Sequence, residues 1–147
     1  RTGRAAARLQ GRALDLASAA RLGSNADVEV PILKQGQFLI ATIQAALTDA
    51  DLMQLRSALV HQVVRLRSLG VIVDVTAMDV VDSFASRTLL EISRMIRLRG
   101  ADTVIVGIQP EVAFAMVQLG LTLEDIPTSL DLEEGLAYLQ QKFSGTN

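Results

Sequence analysis

The run Asp79-Val80-Val81-Asp82-Ser83-Phe84 follows a short apolar stretch, Val71 to Asp74, and opens a long helical pattern near Ala85. It places a hydroxyl and two carboxylates at one strand-to-helix junction. A helix N-terminus carries free backbone N–H groups and a partial positive charge, so it accommodates a phosphoryl group. A phosphoserine brings about −1.5 to −2 charges at neutral pH, and Asp79 and Asp82 make the spot sensitive to that addition. Arg87, one helical turn on, is spaced to pair with such a phosphate. The chemistry expected here is reversible phosphorylation of Ser83 rather than nucleophilic catalysis, with Asp79, Asp82, Phe84 and Arg87 around it as a partner-binding rim. By residue type and spacing alone, the plainer reading of Ser83 is an ordinary N-cap, which a switch residue can be as well. Ser86 is an alternative acceptor; Thr88 lies deeper in the helix.

Other chemistries find less support. Asp74, Asp79 and Asp82 can be read as a magnesium-binding cluster, but their spacing is loose and no Walker A loop accompanies them; turn and cap carboxylates are the plainer reading. His61, the single histidine, falls two positions after Leu59 and off the apolar stripe of its helix, so it is expected to be exposed. A Ser-His-Asp triad would have to use it, and Gly-x-Ser-x-Gly is missing. A small α/β hydrolase is therefore a remote alternative. Glu133 and Glu134 are neighbours on a helix and point in different directions, as on a solvated face. No cofactor and no metal are expected.

Half of the 147 residues are hydrophobic but only 3% are aromatic, so the core must be built from Leu, Val, Ile, Ala and Met. That palette suits a small α/β domain. A net charge of −2 gives no broad electrostatic case for nucleic acid. Cysteine is absent, which excludes disulfides and thiolate chemistry. No apolar stretch approaches the ~18–20 residues of a membrane span, and no signal peptide is visible, so a cytoplasmic location is expected. Residues 1–27 hold five arginines against Asp15 and Asp27. They read either as a mobile basic tail or as a docking helix for an acidic partner, with Gly23-Ser-Asn25 as a hinge and one domain over 28–147.

The elements that position the junction follow from periodicity. Val28–Leu33 and Phe38–Ile43 are expected to form a hairpin across a Lys34–Gln37 turn. Thr48 or Asp49 caps a helix with Leu52, Leu55, Leu59, Val63 and Leu66 on one face, ended by Gly70 in left-handed conformation. Val71–Val75 reads as a buried parallel strand. The next helix buries Ala85, Leu89, Ile92 and Ile96 and stops at Gly100. Thr103–Val106 is a strand; Pro110 begins a third helix, which Gly120 caps. Leu121–Ile126 reads as a short strand or an extended link. Thr128–Asp131 leads into a last helix carrying Leu132, Leu136, Leu139 and Phe143. Strands alternating with helices imply a small mixed, mostly parallel sheet with about four helices and right-handed crossovers.

This order, with Asp-Ser at the start of the second long helix, resembles the STAS domain of anti-sigma-factor antagonists and sulphate transporters. The resemblance covers roughly Val30 to Lys142. It is carried by Val30-Pro-Ile-Leu-Lys34, Val73-Asp-Val-Thr76, Val81-Asp-Ser-Phe84, Gly100-Ala101, Val106-Gly-Ile-Gln-Pro110, Leu119-Gly120 and Leu130-Asp-Leu-Glu-Glu-Gly-Leu136. Within the family it is most similar to the stressosome scaffold branch. Sporulation-type antagonists usually read Asp-Ser-Ser-Gly at the switch, where this chain has Phe84 and Ala85 after the serine. The sister co-antagonist branch usually has threonine there, and a second threonine where this chain has Ala115. The resemblance implies a non-enzymatic scaffold and switch. It co-assembles, as a homodimer and a large hetero-oligomer, with sensor paralogues that carry a similar domain. Together they hold a serine/threonine switch kinase until Ser83 is phosphorylated. A free-standing anti-anti-sigma factor that binds an anti-sigma kinase directly is the alternative.

Overall fold

Gly36 and Gln37 turn the chain between strands β1 (Ile32–Gln35) and β2 (Phe38–Thr42), which pair antiparallel with Gln35 opposite Phe38. The computed structural model describes residues 30–144 apart from positions 45, 46, 122 and 124, so the basic segment 1–27 lies outside the described residues. The expected hairpin is present, with a tighter turn. Gly36 supplies the positive φ (62°) that a two-residue loop needs, which leaves Lys34 and Gln35 free to stay in the ladder.

Three further strands join in parallel: β3 (Gly70–Asp74) beside β2, β4 (Asp102–Val106) beside β3, and β5 (Thr128–Ser129) beside β4. The helices between and after them are α1 (Asp49–Leu66), α2 (Ser83–Leu98), α3 (Pro110–Gln118) and α4 (Leu132–Ser144). The result is the expected small mixed α/β sheet. Alternation along the strands divides the core in two. Phe38, Ile40, Ile72, Val104 and Val106 cluster with Leu139 of α4, which packs along β3, β4 and β5. Leu39, Ala41, Val71, Val73 and Ile105 are buried on the other face. There α1 and α2 pack on each other and bury Leu52, Leu55, Leu59 and Val63 with Ala85, Leu89, Ile92 and Ile96. The helical stripes are thus those the spacing predicts, with Leu66 half-buried at the end of its row. Thr48 caps α1 in a capping box: its Oγ1 accepts the Asp51 N–H at 3.0 Å, and Asp51 accepts the Thr48 N–H at 3.0 Å.

One expectation is corrected. The left-handed residue that ends α1 is Arg67 (φ 53°), whose N–H bonds to the Val63 carbonyl, and not Gly70. Gly70 begins β3 under α4, where a Cβ would stand 2.9 Å from Leu139 Cδ1. Its glycine serves a close approach, not a cap. Of the two readings of Leu121–Ile126, the link is the one that the described residues 121, 123, 125 and 126 fit, since none of them lies in a strand. The Leu121 N–H closes α3 by bonding to the Met116 carbonyl, and the two-residue strand follows Pro127, with Thr128 opposite Ile105.

Helix α4 reaches the sheet through Gly135, where a Cβ would lie 2.7 Å from Val106 Cγ1. Gly135→Ala gains about 1 kcal/mol of helix propensity but meets an overpacking cost of about 1–3 kcal/mol. The expected outcome is a net loss of about 1 kcal/mol, read as a lower denaturation midpoint at unchanged m-value.

Candidate functional site at the carboxyl edge of the sheet

Every parallel strand ends at the same edge, and the helix after each begins there. In open α/β sheets this is the edge where ligands and partners are met. Three of the four first helical turns here are acidic, with Asp49 and Asp51 on α1, Glu111 on α3, and Glu133 and Glu134 on α4, while the first turn of α2 is not. The last turns carry Arg65, Arg97 and Lys142. Each sign complements its helix end, and together they leave the carboxyl edge negative.

At the centre of this edge, α2 starts two residues earlier than expected, and its cap is Asp82 rather than Ser83. Asp82 is extended (φ −85°, ψ −176°), and its Oδ1 accepts the Ala85 N–H at 2.8 Å while its carbonyl accepts the Ser86 N–H at 2.9 Å. Aspartate is at least as good a cap as serine, so the carboxylate takes the position. Ser83 becomes the first helical residue, with an exposed side chain. Phe84 beside it is half-buried, and Arg87 one turn on is exposed. The other hydroxyls of α2 point inward: Ser86 is 5% exposed, Thr88 3% and Ser93 4%. Ser86 is therefore closed to a modifying enzyme in this fold, and Ser83 is open.

The segment before the cap is anchored from below and presented from above. Met78 and Val81 are buried, whereas Asp79 and Val80 are exposed, Val80 at 69%. Of the residues expected around Ser83, Asp79, Asp82 and Arg87 are exposed and Phe84 is half-buried; Val80 is an exposed apolar neighbour that sequence reasoning did not single out.

A polar cluster next to the rim was missed too. Asp74 Oδ1 accepts both the Thr76 N–H (3.0 Å) and the Thr76 hydroxyl (2.6 Å). Asp-x-Thr just after a strand is the signature of such an Asx turn, so this much was readable. The Gln109 carboxamide N–H then donates to the Thr76 carbonyl from 33 positions away, which places the Gly107–Pro110 turn beside Thr76.

Asp74 and Asp82 thus serve as turn and cap carboxylates. Among the described residues, no group of three or more His, Asp or Glu is disposed to hold a metal ion. His61 is exposed on α1, about 18 Å along the helix from the edge where Ser83 sits, so the two do not form a triad. No helix among the described residues is long and apolar enough to cross a membrane.

Comparison with known proteins gives a consistent result. A family model for the STAS domain matches residues 29–135. RsbRA of Bacillus subtilis, an RsbT co-antagonist by name, is 36% identical over 78 residues; they cover 53% of this chain and 28% of that protein. The chain thus spans little more than a quarter of that relative's length. A serine-to-glutamate variant of RsbS from Moorella thermoacetica superposes with a TM-score of 0.67 at 35% identity, covering 77% of this chain and 96% of that one. A chain from the stressosome, described as a signal integration and transduction hub, superposes with a TM-score of 0.65 at 33% identity, covering 78% and 100%.

The cap assignment is open to a direct test. Asp82→Ala should cost about 1 kcal/mol of stability, the typical value of an N-cap. Ser83→Ala should stay within about 0.5 kcal/mol of wild type, as exposed substitutions do. Urea denaturation of the two variants in parallel distinguishes them, and the opposite ranking would return the cap to Ser83.

Proposed function

Because the chain belongs to the STAS-domain family, we propose that it is a non-enzymatic, phosphorylation-regulated scaffold of the stressosome type. In this reading it docks a serine/threonine switch kinase at the acidic rim, together with sensor paralogues that carry their own STAS domains, in a cytoplasmic assembly of homodimers and larger hetero-oligomers. Phosphorylation of Ser83 releases the kinase. The observation that carries the reading is the position of Ser83: an exposed hydroxyl on the first turn of α2, with the other hydroxyls of that helix buried.

Release follows from charge placement. The phosphate arrives beside the Asp82 carboxylate and near Asp79, on an edge that already holds acidic first turns. A kinase surface that tolerates the unmodified rim meets roughly two further negative charges. A loss of about 1.4 kcal/mol in docking lowers affinity tenfold. Within the domain the helix N-terminus accommodates the same charge, and Arg87 is spaced to pair with it. The cap bond to Ala85 belongs to Asp82, so phosphorylation does not require α2 to surrender it.

A free-standing antagonist that binds an anti-sigma kinase directly is the second reading. What favours the scaffold is that two structures similar to this chain at above 30% identity are an RsbS and a stressosome chain.

Incubation with ATP and a serine/threonine switch kinase from the same genome should give stoichiometric phosphate on Ser83, mapped by tandem mass spectrometry and absent from Ser83→Ala. Ser83→Glu should bind the kinase about tenfold more weakly than wild type, the effect of about 1.4 kcal/mol. Equal binding would remove electrostatic release. A large mixed particle on addition of a sensor paralogue supports the scaffold; a small complex with the kinase alone supports the free antagonist.

A further inference from the structure

The loop between β4 and α3 is tied to the segment that presents Ser83, and the tie has an unusual origin. Gln109 is the N-cap residue of α3, extended at φ −68° and ψ 150°, yet its side chain makes no bond to its own helix. Pro110 at the first helical position has no N–H to satisfy, which lowers the demand for a cap. The Gln109 carboxamide turns away and donates to the Thr76 carbonyl. That carbonyl lies just past the last bond of the β3–β4 region, Val75 N–H to the Val106 carbonyl at 3.0 Å.

The neighbouring residues are shaped for this contact. Gly107 adopts φ 84°, and a Cβ there would run into Thr76 Oγ1, so only glycine lets the two turns meet. Asp74 fixes Thr76 from the other side through its backbone N–H and its hydroxyl. The Gly107 N–H bonds to the Ser129 carbonyl at 3.3 Å, which joins the same turn to β5. The presenting segment, 77–81, therefore runs between two polar pins. One is Thr76, held by Asp74 and Gln109; the other is Asp82, bonded to Ala85.

We propose that Gln109 is a positioning residue for Ser83 phosphorylation: by pinning the Thr76 carbonyl it holds Asp79 and Val80 in the arrangement that the kinase docks on. The inference rests on the switch reading of Ser83. Gln109 itself lies outside the rim and acts through Thr76.

The test uses the full chain, with the switch kinase and ATP as probe, and two variants. Gln109→Ala removes the side chain; Gln109→Glu keeps its size and loses the donor. Both should raise the KM for phosphorylation about fivefold or more, the effect of one lost hydrogen bond, with kcat little changed. Amide hydrogen exchange should quicken across 77–81, with the amides of β2, β3 and α1 unaltered. Wild-type KM in both variants, or faster exchange spread evenly over the whole domain, would overturn the inference and leave Gln109 a general structural tie. Wild-type protein that takes no phosphate on Ser83 from a kinase active on another target would overturn the switch reading and this inference with it. Phosphorylated wild type with equally phosphorylated variants would overturn this inference alone.

Discussion

The bond from the Ala85 N–H to the Asp82 carboxylate, 2.8 Å long, determines what the neighbouring serine is free to do. A capping serine would spend its hydroxyl on the helix and hold it close to the first-turn amides. With Asp82 in that place, Ser83 stands one position inside the helix and turns to solvent. The stabilisation involved is small, about 1 kcal/mol, but its effect on position is absolute. The buried row Ala85, Leu89, Ile92 and Ile96 fixes the rotation of α2 and turns Ser86, Thr88 and Ser93 inward. The cap, one residue before Ser83, fixes where the helix begins.

Magnitudes explain why charge at this site would act on docking more than on folding. Two unit charges about 6 Å apart in water interact by roughly 0.7 kcal/mol. A doubly charged phosphate beside the Asp82 carboxylate therefore carries about 1–1.5 kcal/mol of internal repulsion. The N-terminus of α2 returns about 0.3–1 kcal/mol, and an ion pair with Arg87 adds a few tenths. These nearly cancel within the domain. No such compensation is available to a partner that must desolvate the same phosphate against the acidic edge.

Much of the fold is legible in the chain because it rests on local periodicity. The stripe Leu52-Leu55-Leu59-Val63 and the stripe Ala85-Leu89-Ile92-Ile96 are readable at spacings of three and four, and both are buried as that spacing requires. The Asp-Ser junction was readable too. The failures occurred where distant contacts decide. Gly70 has the look of a helix terminator, but Leu139, 69 positions on, needs its missing Cβ; Arg67 takes the left-handed turn in its place. Asp82 and Ser83 are both strong caps, and nothing local ranks one above the other until the buried face of α2 fixes the register. The tie between Gln109 and Thr76 spans 33 positions, and only the parallel pairing of β3 with β4 brings them together.

The domain thus has two kinds of order. Beneath the sheet and between the helices, aliphatic side chains interlock with glycines at points of near contact, as at Gly70 and Gly135; changes there are felt as overpacking or cavities of several kcal/mol. At the carboxyl edge, order depends on single hydrogen bonds worth about 1 kcal/mol each: Asp74 with Thr76, Gln109 with Thr76, and Asp82 with Ala85. In the proposed switch, interactions of that size are matched to the energy that one phosphate would bring. A rim held by the core would be too stiff to register such a change, and a rim without pins would present no defined surface to lose. The buried anchors Met78 and Val81, with the polar pins to either side, set the rim between those limits.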